Sequence, residues 1–388
     1  MTQRFSVVSF FKSEKNRSPK WTISVVVLSS IVYYFLFDFL RWNQYDSVSY
    51  EAGARLLFGI DGGADLQGRM SKPLVLLLPG LCEFIFGVQS KYIFVIQSGF
   101  CYVIMVLLWK GILQNLAFSE NSQKVGVLML VLSQPVAAFS FGVLTDFPGW
   151  CCMLWLLYVY THKERKWKWL KISFITLLGL FVKESILVGV IFIAICILFD
   201  ESVNKRKKLV YYFYFAFIFG LSQVVIIQLD FGGLIKRQNE IMRFGWLFEQ
   251  HKYSEVLQFW RAFDGTGWFF AFSLLTLKKQ IRSLPYFRES LISLVLCITL
   301  LPLTHPASMV DRIIFMFFPM VFIVSLYYLQ NIPFRISTSM VIANGLLSII
   351  TTYIIYQMEL KGTFVFSFLV SLLIPFFLIL ISRGLIKK

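Results

Sequence analysis

Charge is scarce in this chain of 388 residues: only 15% are Asp, Glu, Lys or Arg, and there are 3 His. So small a polar complement cannot cover the surface of a water-soluble body of this size, which excludes the soluble globular class. No stretch matches GxxxxGK[ST] and no extended polar domain interrupts the chain, so a nucleotide-binding module is not expected. The six cysteines (Cys82, Cys101, Cys151, Cys152, Cys196 and Cys297) lie in apolar runs with neither metal-ligand spacing nor a disulfide pattern, and core packing accounts for them. No internal repeat or low-complexity tract is apparent, which weighs against a transporter built from two related halves. The first apolar run lacks a small-residue cleavage site, so it reads as a retained helix and not a removed signal.

What fills the chain is apolar: 57% hydrophobic residues, 18% aromatics and a mean hydropathy of +0.71. These values describe an integral membrane protein. A spanning helix takes about 20 mostly apolar residues. That rule predicts crossings near 21–40, 91–113, 125–144, 147–161, 170–182, 185–199, 209–229, 265–277, 290–304, 312–330, 336–357 and 363–382. The fold class is therefore all-α, a polytopic bundle of about 10 to 13 transmembrane helices. Residues 1–20 form a short N-terminal segment and 21–388 one transmembrane domain. The runs 170–182 and 185–199 are short for full spans and meet at Lys183-Glu184, so a tilted or broken pair with its junction inside the membrane is expected. The stretch 72–88 is apolar but carries Pro79 and Glu83, and reads as an interfacial or re-entrant segment in an outer loop, 41–90.

Basic residues orient the bundle. With the N- and C-termini inside, the inner segments hold 24 of the 37 Lys and Arg but 6 of the 21 acids, so the net charge of +16 belongs to the inner face. Topology and anionic lipid explain such a rim, and no nucleic-acid partner is implied.

The outer side then carries the chemistry. Asp46 heads a short amphipathic pattern with Tyr50, Ala54, Leu57 and Phe58 at helical spacing, as in an interfacial helix. Asp61 and Asp65 flank Gly62-Gly63 and read as a solvated turn. Asp146, in LTDFPG, is either an N-cap with Pro148 in the next turn or an ionisable residue at membrane depth that marks a site; the two are compatible. Lys183-Glu184 is either a structural ion pair or part of that site. His305, Asp311 and Arg312 stand at the outer entry of a later helix, where Arg312 suits an anionic headgroup or phosphate. The outer loop 230–264 mixes aromatic and basic residues and reads as an interfacial helix or a lid.

The order of these pieces resembles a known family, the GT-C membrane glycosyltransferases, in particular relatives of protein O-mannosyltransferases and of the lipid A aminoarabinose transferase. The resemblance rests on Asp46, Tyr50 and Ala54 after the first helix, then Lys72-Pro73 opening a segment that ends in Phe86-Gly87. Thr145-Asp146-Phe147-Pro148-Gly149 follows at a helix head, then Gly179 to Ser185, and last Asp311-Arg312. A single Pro follows Lys72 where a pair is common, and a large outer C-terminal domain is lacking.

The resemblance implies transfer of a sugar from a polyprenyl-phosphate donor in the membrane to a glycan, lipid or protein acceptor at the outer face, and a bacterial inner-membrane location. Asp46 is then the expected general base, with Asp146 expected to orient the acceptor. Lys72, Arg312 and Lys183 are the expected ligands of the donor phosphate, and Tyr50, Glu184 and His305 the expected substrate contacts. Metal use varies in the family, and Asp46 with Asp146 are the oxygen ligands that a divalent cation, Mg or Mn, would take. A polysaccharide polymerase or ligase using polyprenyl-linked glycans, and a non-enzymatic flippase of lipid-linked sugars, remain as alternatives.

Overall fold

The computed structural model describes residues 19–38, 45–60, 72–163, 167–229, 262–263, 265–277, 283–304, 314–358 and 370–374. They form α1 (Pro19–Leu36), α2 (Tyr45–Leu56), α3 (Pro73–Phe86), α4 (Ser90–Asn115), α5 (Glu120–Val131), α6 (Gln134–Phe139) and α7 (Asp146–Thr161). The second half adds α8 (Lys168–Leu180), α9 (Ile186–Phe199), α10 (Lys205–Leu229), α11 (Gly265–Thr276) and α12 (Phe287–Thr304). A 3-10 turn (Phe315–Phe317) then leads into α13 (Phe318–Leu329), followed by α14 (Phe334–Met358). The chain is a polytopic helical bundle. Ser90–Asn115, Lys205–Ile226 and Phe334–Ile354 are long and apolar enough to cross a membrane, and shorter apolar helices pack around them.

The central packing is α4 against α7. Glycine allows it: a Cβ on Gly111 would meet the Tyr158 ring of α7 at 2.7 Å, and one on Gly99 the ring of Phe141, in the segment before α7, at 2.7 Å. Close approach through small residues is the common solution where lipid offers no hydrophobic drive between helices. The two helices run parallel, with Tyr102 beside Phe147 (ring centroids 6.2 Å) and the Asn115 amide on Thr161 Oγ1 at 3.2 Å. Their lengths differ. At 1.5 Å per residue, α4 with 26 residues is about 39 Å long and α7 with 16 about 24 Å. Level at one end, they leave α7 starting about 15 Å short of the other end of α4. α2 and α3 occupy that shortfall, α3 against α4 and α2 across both. A Cβ on Gly80 of α3 would overlap the Ala54 carbonyl of α2, so this roof is tightly built.

The expected crossing at 125–144 is not one helix. It breaks after Val131 and restarts at Gln134 with Pro135 in the first turn, then leaves helical form again before α7. Proline has no N–H to donate and begins helices readily. Inside lipid the freed carbonyls need donors. Tyr33 Oη donates to Val131 O at 2.8 Å, Ser133 Oγ to Leu130 O at 2.7 Å, and Ser98 Oγ to Gly142 O at 3.0 Å. The expected break at 183–184 is present: α8 and α9, each about 20 Å long, meet in a tight turn in which Lys183 N donates to Gly179 O at 2.8 Å. The stretch 72–88 forms the single helix α3, entered through Pro73 and closed by Gly87 at φ +66°. The described parts of the second half pack an aromatic core in which Phe315 stacks on Phe318 and meets Trp150, joining α13 to α7.

The Tyr33 bond generates a stability prediction. Tyr33→Phe orphans the Val131 carbonyl and is expected to cost about 1–3 kcal/mol, read as a lower melting temperature in detergent. Tyr34→Phe, on the exposed face of α1, is expected to shift melting little. Equal melting of the two variants would remove Tyr33 from the role of closing the break.

Candidate functional site

The four charged side chains of the site come from three places. Lys72 is the residue before α3, Asp146 opens α7, and Lys183 and Glu184 form the α8–α9 break. Two contacts bring these places together: Leu74 N, in the first turn of α3, donates to Phe181 O at 3.3 Å, and Gly149 of α7 lies against the break. A Cβ on Gly149 would meet Ser185 Oγ at 2.6 Å and Lys183 Cβ at 2.7 Å, so only glycine allows that approach.

Burial is severe. Asp146 is 1% exposed, Lys72 4% and Lys183 9%. Ionised groups tolerate such surroundings only when paired. Lys183 Nζ contacts Asp146 Oδ1 at 2.5 Å, and Lys72 Nζ lies 3.4 Å from Glu184 Oε2. Lys183 and Glu184, adjacent in sequence, are thus not each other's partner as a structural pair would have them. Asp146 is not an N-cap either: Thr145 holds the cap position without a side-chain cap bond, and Asp146 is the first helical residue. A carboxylate in the first turn of a helix also gains from the helix dipole.

Tyr50 ties α2 into this group. Its ring lies 5.9 Å from Lys72 Nζ, within cation–π range, and its hydroxyl shares a 2.9 Å hydrogen bond with Thr145 Oγ1. Tyr50 and Thr145 are buried at 2% and 0%. Asp46 stands in the first turn of α2, one turn ahead of Tyr50, so the amphipathic helix that its sequence predicted is present. The outer edge of the roof is held by a second ionic group. Arg55 Nε pairs with Glu83 Oε1 at 3.2 Å, and Glu83 Oε2 accepts from Ser90 N at 2.9 Å, joining α2, α3 and α4. Burial raises the Glu51 carboxyl above its ordinary range with Glu83 adding to it, while Lys91 and Arg55 pull the other way.

Of the expected site residues, Lys72, Asp146, Lys183, Glu184 and Tyr50 come together, with Asp46 on the same short helix as Tyr50. Arg312 and His305 lie outside the described residues, as do Asp61, Asp65 and Asp311, and the loop 230–264 apart from Ala262 and Phe263. Thr145 and Ser185 were not anticipated. Thr145 carries the bond to Tyr50, and Ser185 has a buried hydroxyl without a hydrogen-bond partner among the described residues. Neither stands out in sequence, because a hydroxyl beside an acid has no spacing of its own. Among the described residues no three His, Cys, Asp or Glu side chains gather as a metal site.

The architecture has counterparts among solved structures. The chain matches ArnT from Cupriavidus metallidurans in the apo state with a TM-score of 0.51 and 11% identity, over 92% of this chain and 75% of that one. The chain shares the ArnT fold. ArnT from the same organism bound to undecaprenyl phosphate matches over the same shares with a TM-score of 0.50 and 11% identity. No protein-family model and no curated protein matches the sequence. In this fold the ionised group sits under the α2–α3 roof, at the end of the bundle opposite Asn115 and Thr161.

The deep pair generates the next prediction. Asp146→Asn or Lys183→Met alone leaves one buried charge uncompensated and is expected to cost about 3–5 kcal/mol. The double variant Asp146→Asn with Lys183→Met removes both charges and is expected to recover most of the melting temperature. A double variant as unstable as the two losses added together would mean that the residues act independently.

Proposed function

We propose that the protein is a membrane glycosyltransferase that moves a sugar from a polyprenyl-phosphate donor to a glycan, lipid or protein acceptor at the extracytoplasmic face. The observation that carries this reading is the recessed group of two paired lysines under the α2–α3 roof of a GT-C fold. The solved ArnT complex with undecaprenyl phosphate supports the choice of a polyprenyl lipid.

The two lysines differ in availability. Lys183 is locked to Asp146 with both side chains almost fully enclosed, whereas the Lys72 contact is longer and its partner Glu184 has a side chain 37% exposed. A phosphate arriving at the open side would exchange Glu184 for itself at Lys72, so Lys72 is the donor ligand in this proposal. Arg312 is the second ligand. Lys183 and Asp146 then serve as the rigid floor that positions α7, and Lys183 brings to Asp146 the positive charge that a divalent cation would otherwise supply.

Asp46 is the proposed general base. It accepts the acceptor hydroxyl proton as that oxygen bonds to the anomeric carbon, the bond from that carbon to the carrier phosphate oxygen breaks, and the phosphate leaves with the electron pair. Fixed ammonium groups near the departing oxygen stabilise the charge that builds there.

Transfer assays on membranes with a panel of polyprenyl-phosphate sugars test the roles. Asp46→Asn keeps the shape and loses the base, and is expected to lower the rate by about 10²–10⁴-fold. Lys72→Gln is expected to weaken donor use while leaving insertion intact, and Asp61→Asn and Asp65→Asn to retain most activity. Full activity in Asp46→Asn, or loss in a turn variant, would assign the base elsewhere.

Sidedness is part of the same proposal, with both termini cytoplasmic. A single cysteine at 45 is expected on the outer side, with single cysteines at 165, 206 and 279 inside. Labelling by an impermeant thiol reagent reads the sides, and the extracytoplasmic reading fails if position 45 is reached only after the membrane is opened.

A further inference from the structure

The interruption between α5 and α6 meets α14 and the start of α11 at a small cavity inside the bundle. Ser133 and Gln134 line it from the break, Asn344 and Gly345 from α14, and Gly265 and Thr266 from α11. Two glycines bring these walls together. A Cβ on Gly345 would overlap Leu132 Cβ, and one on Gly265 would overlap the Asn344 side chain, so α14 lies directly on the break and its asparagine directly on α11. No charged side chain is among the described residues that line the cavity, and the free space at its centre is about the size of one water molecule.

The polar groups around this space are enclosed and unanswered. Gln134 is 5% exposed and Asn344 3%. Among the described residues, Gln134 Oε1 and both amide atoms of Asn344 have no hydrogen-bond partner. Their neighbours in the break are engaged elsewhere, since Ser133 Oγ donates to Leu130 O and Val131 O accepts from Tyr33 Oη. Two acceptors and a donor left bare in a low-dielectric interior are costly, and buried groups of this kind are satisfied by ordered water where the protein itself does not reach them. Irregular backbone at membrane depth is likewise tolerated where it lines a hydrated space. The atom types select water over a cation. A sodium ion would serve the two oxygens, but it would face the Asn344 N–H and find no carboxylate in the lining. A primary amide presents an N–H and a carbonyl oxygen side by side, so a single water can accept from Asn344 Nδ2 and give one hydrogen to Asn344 Oδ1 and the other to Gln134 Oε1.

We infer that this cavity is the binding site of one internal water molecule, which bridges Gln134 of the α5–α6 break to Asn344 of α14. The bridge satisfies all three bare atoms at once. It also fixes the start of α6, from which the chain runs on to Thr145 and Asp146. The site uses none of the recessed charges and does not depend on the glycosyl-transfer reading.

The test is electron cryomicroscopy of the full chain in nanodiscs, at a resolution that shows ordered water, with sodium buffer and potassium buffer compared. One peak is expected within hydrogen-bond distance of Gln134 Oε1 and the Asn344 amide, the same in both buffers. Two variants add a thermal readout. Asn344→Leu removes the amide and is expected to lose the peak and to lower the melting temperature. Asn344→Gln carries its amide one methylene further, into the place of the water, and is expected to lose the peak while melting closer to the parent than Asn344→Leu does. The map of the parent protein decides the matter if neither variant folds. No peak, a peak in sodium alone, a direct bond between Gln134 and Asn344, Asn344→Leu melting with the parent, or Asn344→Gln melting no higher than Asn344→Leu would overturn the proposal.

Discussion

A polar group inside this bundle has no bulk water to fall back on, and that single constraint explains most of the irregularities. In hydrocarbon a free carbonyl or an unpaired charge costs several kcal/mol, so every interruption of a helix must be answered by a donor from elsewhere. Where α5 ends, Tyr33 reaches across from α1 to take the Val131 carbonyl. Where the chain leaves α6, Ser98 of α4 takes the Gly142 carbonyl. The α8–α9 turn presents a lysine and a glutamate, and both find opposite charges in other segments.

The recess follows from lengths. α7 is too short to match α4, and because the two are level at the Asn115–Thr161 end, the whole difference appears at the other end. Short α8 and α9 turn back near the same level, with Gly149 allowing the turn to lie directly on α7. The space above is roofed by α2 and α3, clamped by Arg55, Glu83 and the Ser90 amide. Two carboxylates and two ammonium groups are thereby held below the top of the bundle, where low dielectric strengthens each pairing.

The two ion pairs divide the labour of such a recess. The enclosed Asp146–Lys183 pair cannot open without exposing a bare charge to hydrocarbon, so it behaves as part of the framework. The Lys72–Glu184 pair has one partner in contact with solvent, and exchange of that partner costs far less. Tyr50 couples the two levels, since its ring faces Lys72 and its hydroxyl holds Thr145, the residue before Asp146.

Much of this architecture was legible in the chain itself. Hydropathy alone determined the membrane class and most helix positions, because transfer to lipid depends on composition over about 20 residues and little on context. The α8–α9 break showed in two short apolar runs meeting at Lys183-Glu184, and the short helix carrying Asp46 and Tyr50 in its amphipathic spacing. The break inside 125–144 did not show, since Ser133-Gln134-Pro135 sits in a run apolar enough to be one helix and only the Tyr33 and Ser133 bonds make interruption tolerable there. Nor could pairing be read. Lys183 and Glu184 are neighbours, yet Lys183 finds Asp146 37 residues away, and Tyr50 finds Thr145 across 95. Sequence by itself determined which segments are apolar helices and where ionisable residues interrupt them; the tertiary structure alone decided which charges meet, because in a low-dielectric interior the partner is chosen by the packing of helices distant in sequence.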